Sequence, residues 1–206
     1  FDGGLYAIPE TMSYPMLYVR TDIMQKLGIE LDSLETWEDI LQGVLPTLQN
    51  NYLNFGVPAD LNGFAIFLFQ NGGTIYNSDG TASALNSMEA VAAFESFTEL
   101  YTDYKQPLTF DFANRFRSGE MPLAISDLTS YNQLAVFAPE IKGLWTMLPV
   151  PGTKTEDGQV NHAAPATVTG SVIMSDSDSV PAAWEFIRWW SSAETQTQYA
   201  QELETL

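Results

Sequence analysis

Residues 110–127, FDFANRFRSGEMPLAISD, hold a complete helix-to-strand step, and reading them sets the fold class. The pattern is helical up to Gly119, a residue that suits the left-handed turn at a helix end. PLAIS then reads as a short apolar strand that runs directly into a polar loop at Asp127. A helix that stops, a buried strand and a polar strand end together form the repeating step of an α/β protein.

Working outward, the same alternation recurs. Upstream, LYAIPETMSYPMLYVR (5–20) follows a Gly3-Gly4 turn and reads as two extended segments interrupted by Pro9 and Pro15. TDIMQKLGI (21–29) reads as a short helix capped by Thr21 or Asp22, with Ile23, Met24 and Leu27 on one face and Gly28 at its end. Thr36 precedes WEDILQGVLPTLQN with Asp39 in a capping-box position, and Pro46 kinks or breaks the helix. LNGFAIFLFQNGG (61–73) is apolar on nearly every side, which suits a buried helix, and TIYNSDGTASAL (74–85) reads as a hairpin around Asp79-Gly80. Asn86, with Glu89 three residues on, starts a long helix whose apolar face is Val91, Phe94, Phe97, Leu100 and Tyr101.

Downstream, Tyr131 to Phe137 returns as helix, and LWTMLPVPGTKTEDGQVN (144–161) is a strand giving way to an exposed loop. VTGSVIMS (168–175) is a further strand. The final stretch from Val180 is helical, with Pro181 in its first turn and Ala183, Phe186, Ile187 and Trp190 on one face.

Hydrophobic residues make up 45% of the 206, so the net charge of −18 describes a surface and not a disordered chain. Eight scattered basic residues against 26 acidic ones exclude nucleic acid and anionic membrane as partners, because that binding needs clustered Lys and Arg. The start FDGGLYAIP has neither Met nor a signal pattern, from which we expect that the chain begins mid-protein. Without cysteine there is no disulfide or thiolate chemistry, and the lone His162, in a loop between PGT and PAT, reads as solvated. No DxDxDG calcium loop and no GxxxxGK[ST] phosphate cradle is present, so neither a metal nor another cofactor is expected.

The order of these signatures resembles the family 1 extracellular solute-binding proteins of bacterial ABC importers, whose best-known relatives bind maltose and other sugars. GGLYAIPETMSYPMLYVRTDIMQKLGI (3–29), ETWEDIL (35–41), QNGGTIY (70–76), FRSGEMPLAISD (116–127), LPVPGT (148–153) and PAAWEFIRWW (181–190) follow the family's sequence of steps, with Pro122 and Leu123 departing slightly. The resemblance implies a periplasmic-binding-protein-like lobe, a mixed sheet flanked by helices, plus a partial second lobe and hinge segments. By this mapping residues 11–142 are the second lobe, while 1–10 and 143–206 are hinge segments and part of the first, most of which is missing. Hinge crossings are expected at Ile8–Thr11 and Trp145–Pro149.

It also implies a monomer outside the cytoplasmic membrane, as a cell-surface lipoprotein or in the periplasm. There it would bind a mono- or oligosaccharide in a cleft between lobes and deliver it to ABC permease subunits. Carrying family positions over, the ligand residues are Ser13 and Tyr14, Asp60 and Asn62, and Asp127 and Tyr131. A sugar needs an aromatic platform for its C–H face and fixed polar groups for its hydroxyl edge. Asp127 has a further warrant, because open α/β sheets gather ligands at strand ends. Tyr14 and Tyr131 read equally as core or surface aromatics, and Asp60 and Asn62 as helix caps. Trp37, Trp184, Trp189 and Trp190 sit in helical patterns, so core packing or exposure at a truncated interface is the reading for them. Two alternatives stay open: a glycoside hydrolase or lyase, because paired carboxylates suffice for glycosidic cleavage, and a sugar-sensing module not coupled to transport.

Overall fold

The computed structural model describes residues 4–202, which divide into two compact units, the smaller comprising 4–13 and 166–202 and the larger Tyr14–Pro165. In chain order the elements begin with β1 (Ile8–Ser13), β2 (Pro15–Val19), α1 (Thr21–Leu27), α2 (Leu45–Asn50), β3 (Phe55–Gly56) and α3 (Leu61–Gln70). Next come α4 (Met88–Thr102), α5 (Phe112–Ser118), β4 (Leu123–Asp127), α6 (Ser130–Phe137) and β5 (Thr146–Leu148). The chain ends with β6 (Thr153–Lys154), β7 (Val160–Asn161), β8 (Thr167–Ser171), α7 (Val180–Trp190) and α8 (Ala193–Glu202).

The larger unit is built on a mixed four-stranded sheet in the order β3-β4-β2-β5. β2 pairs antiparallel with both β4 and β5, and β3 runs parallel to β4. Alternation along β2 sends side chains to two cores. Leu17 and Val19 join the main core with Leu123, Ile125, Ile40, Ile66 and Leu100. Tyr18 faces the other way, into a smaller cluster with Phe116, Leu134 and Ile141. The expected mixed sheet flanked by helices is what forms.

Local chemistry explains several boundaries. Gly119 and Gly28 end α5 and α1 in the left-handed conformation, at φ 83° and 69°. Asp39 N–H donates to the Thr36 hydroxyl at 3.1 Å, which starts a turn of π-helix, Asp39–Val44, that leads into α2 with Pro46 near its beginning. Gln70, buried at the end of α3, accepts from Trp37 Nε1 and from the Thr153 hydroxyl, both at 2.9 Å, and donates to the Pro151 and Ala163 carbonyls. Trp37 is therefore a core residue, and this satisfied network pins the 151–163 segment to the unit.

In several places the structure departs from the sequence reading. Neither Thr21 nor Asp22 caps α1; Arg20 holds the cap position and Asp22 pairs with it. Ser87, not Asn86, caps α4, its hydroxyl accepting from Ala90 N–H at 3.2 Å. The buried face of α4 is Ala90, Ala93, Phe97 and Leu100, while Val91 and Phe94 are exposed. The expected hairpin at 74–85 shortens to a loop closed by one antiparallel bridge, Tyr76 with Ser83, because the Asn77 side-chain Oδ1 takes the N–H groups of Thr81 and Ala82. His162 is half-buried rather than solvated, its Nδ1–H donating to the Val150 carbonyl at 2.7 Å. Residues 143–165 belong to the larger unit, since β5 pairs with β2, and the units divide at 13/14 and 165/166 rather than at the expected 10/11 and 142/143.

In the smaller unit β1 pairs antiparallel with β8. Glu10 ties the pair to α7, accepting from the Trp190 indole N–H at 2.7 Å and from the Ser171 hydroxyl at 2.8 Å. Ile187 is the one buried apolar side chain among its described residues, and Phe186, expected beside it, is exposed.

Candidate functional site

Strand direction brings the candidates to one end of the larger sheet. β3 and β4 are parallel, β5 shares their direction, and β2 opposes them. The carboxyl ends of β3, β4 and β5 therefore lie beside the amino end of β2, which is where open α/β sheets expose loops to ligands.

Asp127 closes β4 opposite Pro15, and the Leu128 N–H donates to the Tyr14 carbonyl at 2.9 Å, so Tyr14 and Asp127 are locked side by side. Asp127 Oδ1 accepts from the N–H of Thr129 at 3.0 Å and from its hydroxyl at 2.7 Å. This local turn holds the exposed carboxylate at the strand end. Flanking this turn, the Ser126 and Ser130 hydroxyls are 2.8 Å apart. Tyr131, in the first turn of α6, is half-buried and sets its ring edge-on to Trp145, with centroids 5.6 Å apart.

Beneath them Tyr18 is fully buried, and its hydroxyl donates to the Asp127 carbonyl at 2.9 Å and the Leu128 carbonyl at 3.1 Å. Burial pushes the Tyr18 phenol well above its ordinary value, and the nearby Asp127 charge adds to the rise.

Asp60 follows β3 at the same end. Its Oδ1 accepts from Gly63 N–H at 3.0 Å, so the carboxylate caps α3, and Asn62 is exposed in the first turn of that helix. Tyr101 donates to the Val57 carbonyl at 3.2 Å, and its phenol is likewise pushed up by burial with Asp60 adding. Ser13 belongs to the smaller unit, where it pairs with Thr167.

The structure thus brings Tyr14, Asp127 and Tyr131 together, sets Asp60 and Asn62 at the same sheet end, and leaves Ser13 in the other unit. Sequence reasoning missed Tyr18, Trp145 and the hydroxyls of Ser126, Thr129 and Ser130. The run of polar residues after a buried strand was the available signal for the hydroxyls. This end offers carboxylate acceptors, hydroxyl donors and aromatic edges. Among the described residues no cluster of three or more His, Asp or Glu could hold a metal.

The family model described as bacterial extracellular solute-binding protein matches residues 1–205. The chain belongs to this family. Among curated proteins, an arabinooligosaccharide-binding protein of Halalkalibacterium halodurans is 22% identical over 91% of this chain and 44% of its own length. A solute-binding protein of an ABC transporter from Thermotoga lettingae, solved with α-D-tagatose, shares the fold at a TM-score of 0.76 and 20% identity, over 100% of this chain and 55% of that one. An ABC substrate-binding protein from Listeria monocytogenes, solved with cycloalternan, gives a TM-score of 0.74 at 25% identity, over 94% of this chain and 50% of its own. This solute-binding protein chain therefore spans about half the length of the relatives it matches.

Proposed function

We propose that this chain is part of an extracytoplasmic protein that captures a carbohydrate for an ABC importer and catalyses no reaction. The observation that carries the reading is the meeting of Tyr14, Asp127 and Tyr131 at one end of a mixed sheet, the end at which open α/β sheets gather ligands. A charged acceptor, three neighbouring hydroxyl side chains and an aromatic edge suit a sugar's polar rim and apolar face. The family match and the arabinooligosaccharide-binding relative support a sugar as the solute.

In this reading the larger unit is the second lobe, the smaller unit is part of the first, and the exposed Trp184, Phe186 and Trp189 on α7 are faces that more of the first lobe covers. Asp60 has one carboxylate oxygen in the α3 cap and contributes to the ligand with its remaining acceptor capacity, and Asn62 and Ser13 add an amide and a hydroxyl. Ligand bridging both lobes shifts an open–closed equilibrium toward the closed form, which then docks as a monomer on the permease subunits. The whole protein works at the cell surface as a lipoprotein or in the periplasm.

Isothermal titration of a longer polypeptide carrying both lobes against mono- and oligosaccharides, with reducing-end release assayed in parallel, tests the reading. Saturable binding without cleavage is expected. Turnover would overturn it in favour of a glycosidase, and silence toward every sugar in favour of another solute.

A further inference from the structure

Three segments of the larger unit reach the sheet end that carries Tyr14, Asp127 and Tyr131: 57–62 beyond β3, 127–132 at and beyond the end of β4, and 149–152 beyond β5. No Lys, Arg or His occurs in any of them, whereas Asp60 and Asp127 both do. Beside the third segment, His162 gives its Nδ1 proton to the Val150 carbonyl at 2.7 Å, and Lys154 is paired with Glu38 at 3.5 Å.

The other cations of the larger unit gather at the opposite end of the sheet. Arg20 follows β2, its N–H donating to the Pro122 carbonyl at 2.8 Å just ahead of β4. Arg115 and Arg117 sit in α5, also ahead of β4, and pair with Glu120 and Glu140. Lys26 is close enough to Asp22 to help lower its carboxyl, and Lys142 precedes β5. Lys105 follows Tyr104, whose carbonyl accepts from Gln49 shortly before β3. The strands therefore separate charge along their length, with carboxylates at the carboxyl ends of β3 and β4 and cations near the amino ends.

We infer, resting on the carbohydrate reading proposed above, that this sheet end selects sugars by charge: it admits neutral and amino sugars and rejects uronic acids and other anionic sugars. Asp60 and Asp127 are the discriminating residues. A carboxylate accepts from sugar hydroxyls and attracts an ammonium group, but it has no proton to offer a sugar carboxylate. The Thr129 hydroxyl beside them already donates to Asp127 at 2.7 Å. At an effective dielectric between those of protein and water, one ligand charge about 5 Å from a carboxylate changes affinity by about tenfold.

The test is calorimetric titration of the two-lobed polypeptide with glucose, galactose and mannose, each alongside its amine and its uronate, as monosaccharides and as trisaccharides. Low salt and about pH 7 keep the uronates ionised and the amines mostly protonated. Uronates should bind at least about tenfold more weakly than the matched neutral sugar, and amines at least as tightly as it, with the gap narrowing in about 0.5 M salt. An Asp60→Asn, Asp127→Asn double variant should close most of the gap between amine and uronate. Both changes remove charge while keeping a side-chain oxygen for the Gly63 and Thr129 N–H groups, and Asn caps a helix as well as Asp does. Glu120→Gln, which removes a charge ahead of β4, should leave the gap unchanged. Uronates that bind as tightly as their neutral partners would overturn charge selection and leave the carbohydrate reading standing. A gap that survives in the double variant would overturn it too, because the discrimination would then lie elsewhere in the protein. Silence toward all three classes would also overturn it, and the carbohydrate reading falls with it if the wider sugar titration is silent as well.

Discussion

Tyr18 supports Asp127 from below: the buried phenol donates at 2.9 Å to the carbonyl of the residue whose carboxylate stands exposed at the strand end. The same hydroxyl reaches the Leu128 carbonyl at 3.1 Å, so one side chain fixes the turn that aims the candidate site. The core and the site are joined through this residue.

Tyr18→Phe keeps the ring packing against Phe112 and Trp145 and removes only the hydroxyl. Two carbonyls lose their donor, so stability should fall by about 1 to 3 kcal/mol, the usual cost of leaving a buried polar group unpaired. Urea unfolding measures this. An unchanged midpoint would mean that water replaces the phenol and the turn does not depend on it.

Alkaline pH should act through the same residue and through Tyr101, both pushed up by burial. A tyrosine in the unfolded chain ionises near about pH 10, below either folded phenol. The unfolded state therefore releases its protons first, so the stabilisation is full below about pH 10 and is lost as pH rises toward the folded values. Urea midpoints taken through that window should drop, and Tyr18→Phe and Tyr101→Phe should each flatten the drop. Parallel curves for all three proteins would refute the assignment.

Arg20 organises the other end of β2. Its guanidinium meets both Asp22 oxygens at 2.9 Å and donates to the Phe116 and Arg117 carbonyls at 2.9 and 3.1 Å, tying α1 to the end of α5. The hydrogen bonds from Arg20 hold the Asp22 carboxyl below the usual range. Asp22→Ala leaves a buried cation without its counter-ion and should cost about 3 kcal/mol, the low end for breaking a buried pair. The wild-type advantage is complete above about pH 4 and disappears as pH falls through the lowered value, so the two proteins should converge in acid. A constant gap in urea midpoint across pH would point to lost packing instead.

How far the sequence carried depended on whether a feature is local. Gly119, Gly28 and the Thr36–Asp39 pair are read from adjacent residues, and the structure realises each. The apolar run that stops at Asp127 likewise marks a strand end without any knowledge of its neighbours. The α4 face was misread because hydrophobicity ranks Val91 and Phe94 above Ala90 and Ala93, while close packing on α3 selects the small residues. Phe55–Gly56 is too short to show a strand period, so the parallel β3–β4 pairing that places Asp60 beside the Asp127 end was not legible. Tyr18 lies in a strand whose alternation assigns it a face but not a hydrogen-bond partner.

Gly63 shows how tightly the Asp60 loop is packed. A Cβ there would lie 2.0 Å from the Pro58 carbonyl oxygen and 3.2 Å from the Phe97 ring. Backbone has to move to admit Ala, and the segment that moves carries Asp60. Gly63→Ala should therefore destabilise by about 1 to 3 kcal/mol, the usual range for overpacking, despite the better helix propensity of Ala. A melt at or above the parental temperature would show that the loop yields freely.

Ligand affinity should separate the candidate site residues by the work that each does. In the longer two-lobed polypeptide, Asp127→Ala and Tyr131→Ala should each weaken sugar binding by about 1 to 3 kcal/mol, the range for a lost polar or stacking contact. The two should differ in stability. Tyr131 packs on Trp145 and its loss uncovers that ring, which itself packs on the smaller core, whereas Asp127 is exposed and its carboxylate accepts locally from Thr129. Tyr131→Ala should thus lower both affinity and melting temperature, and Tyr131→Phe, which keeps the ring, should restore the melt and isolate the hydroxyl's share of binding. Asp127→Asn should weaken binding with little change in the melt. If both Ala variants bind sugar with parental affinity in calorimetry, the sheet end is not where the ligand sits, although membership of the family stands.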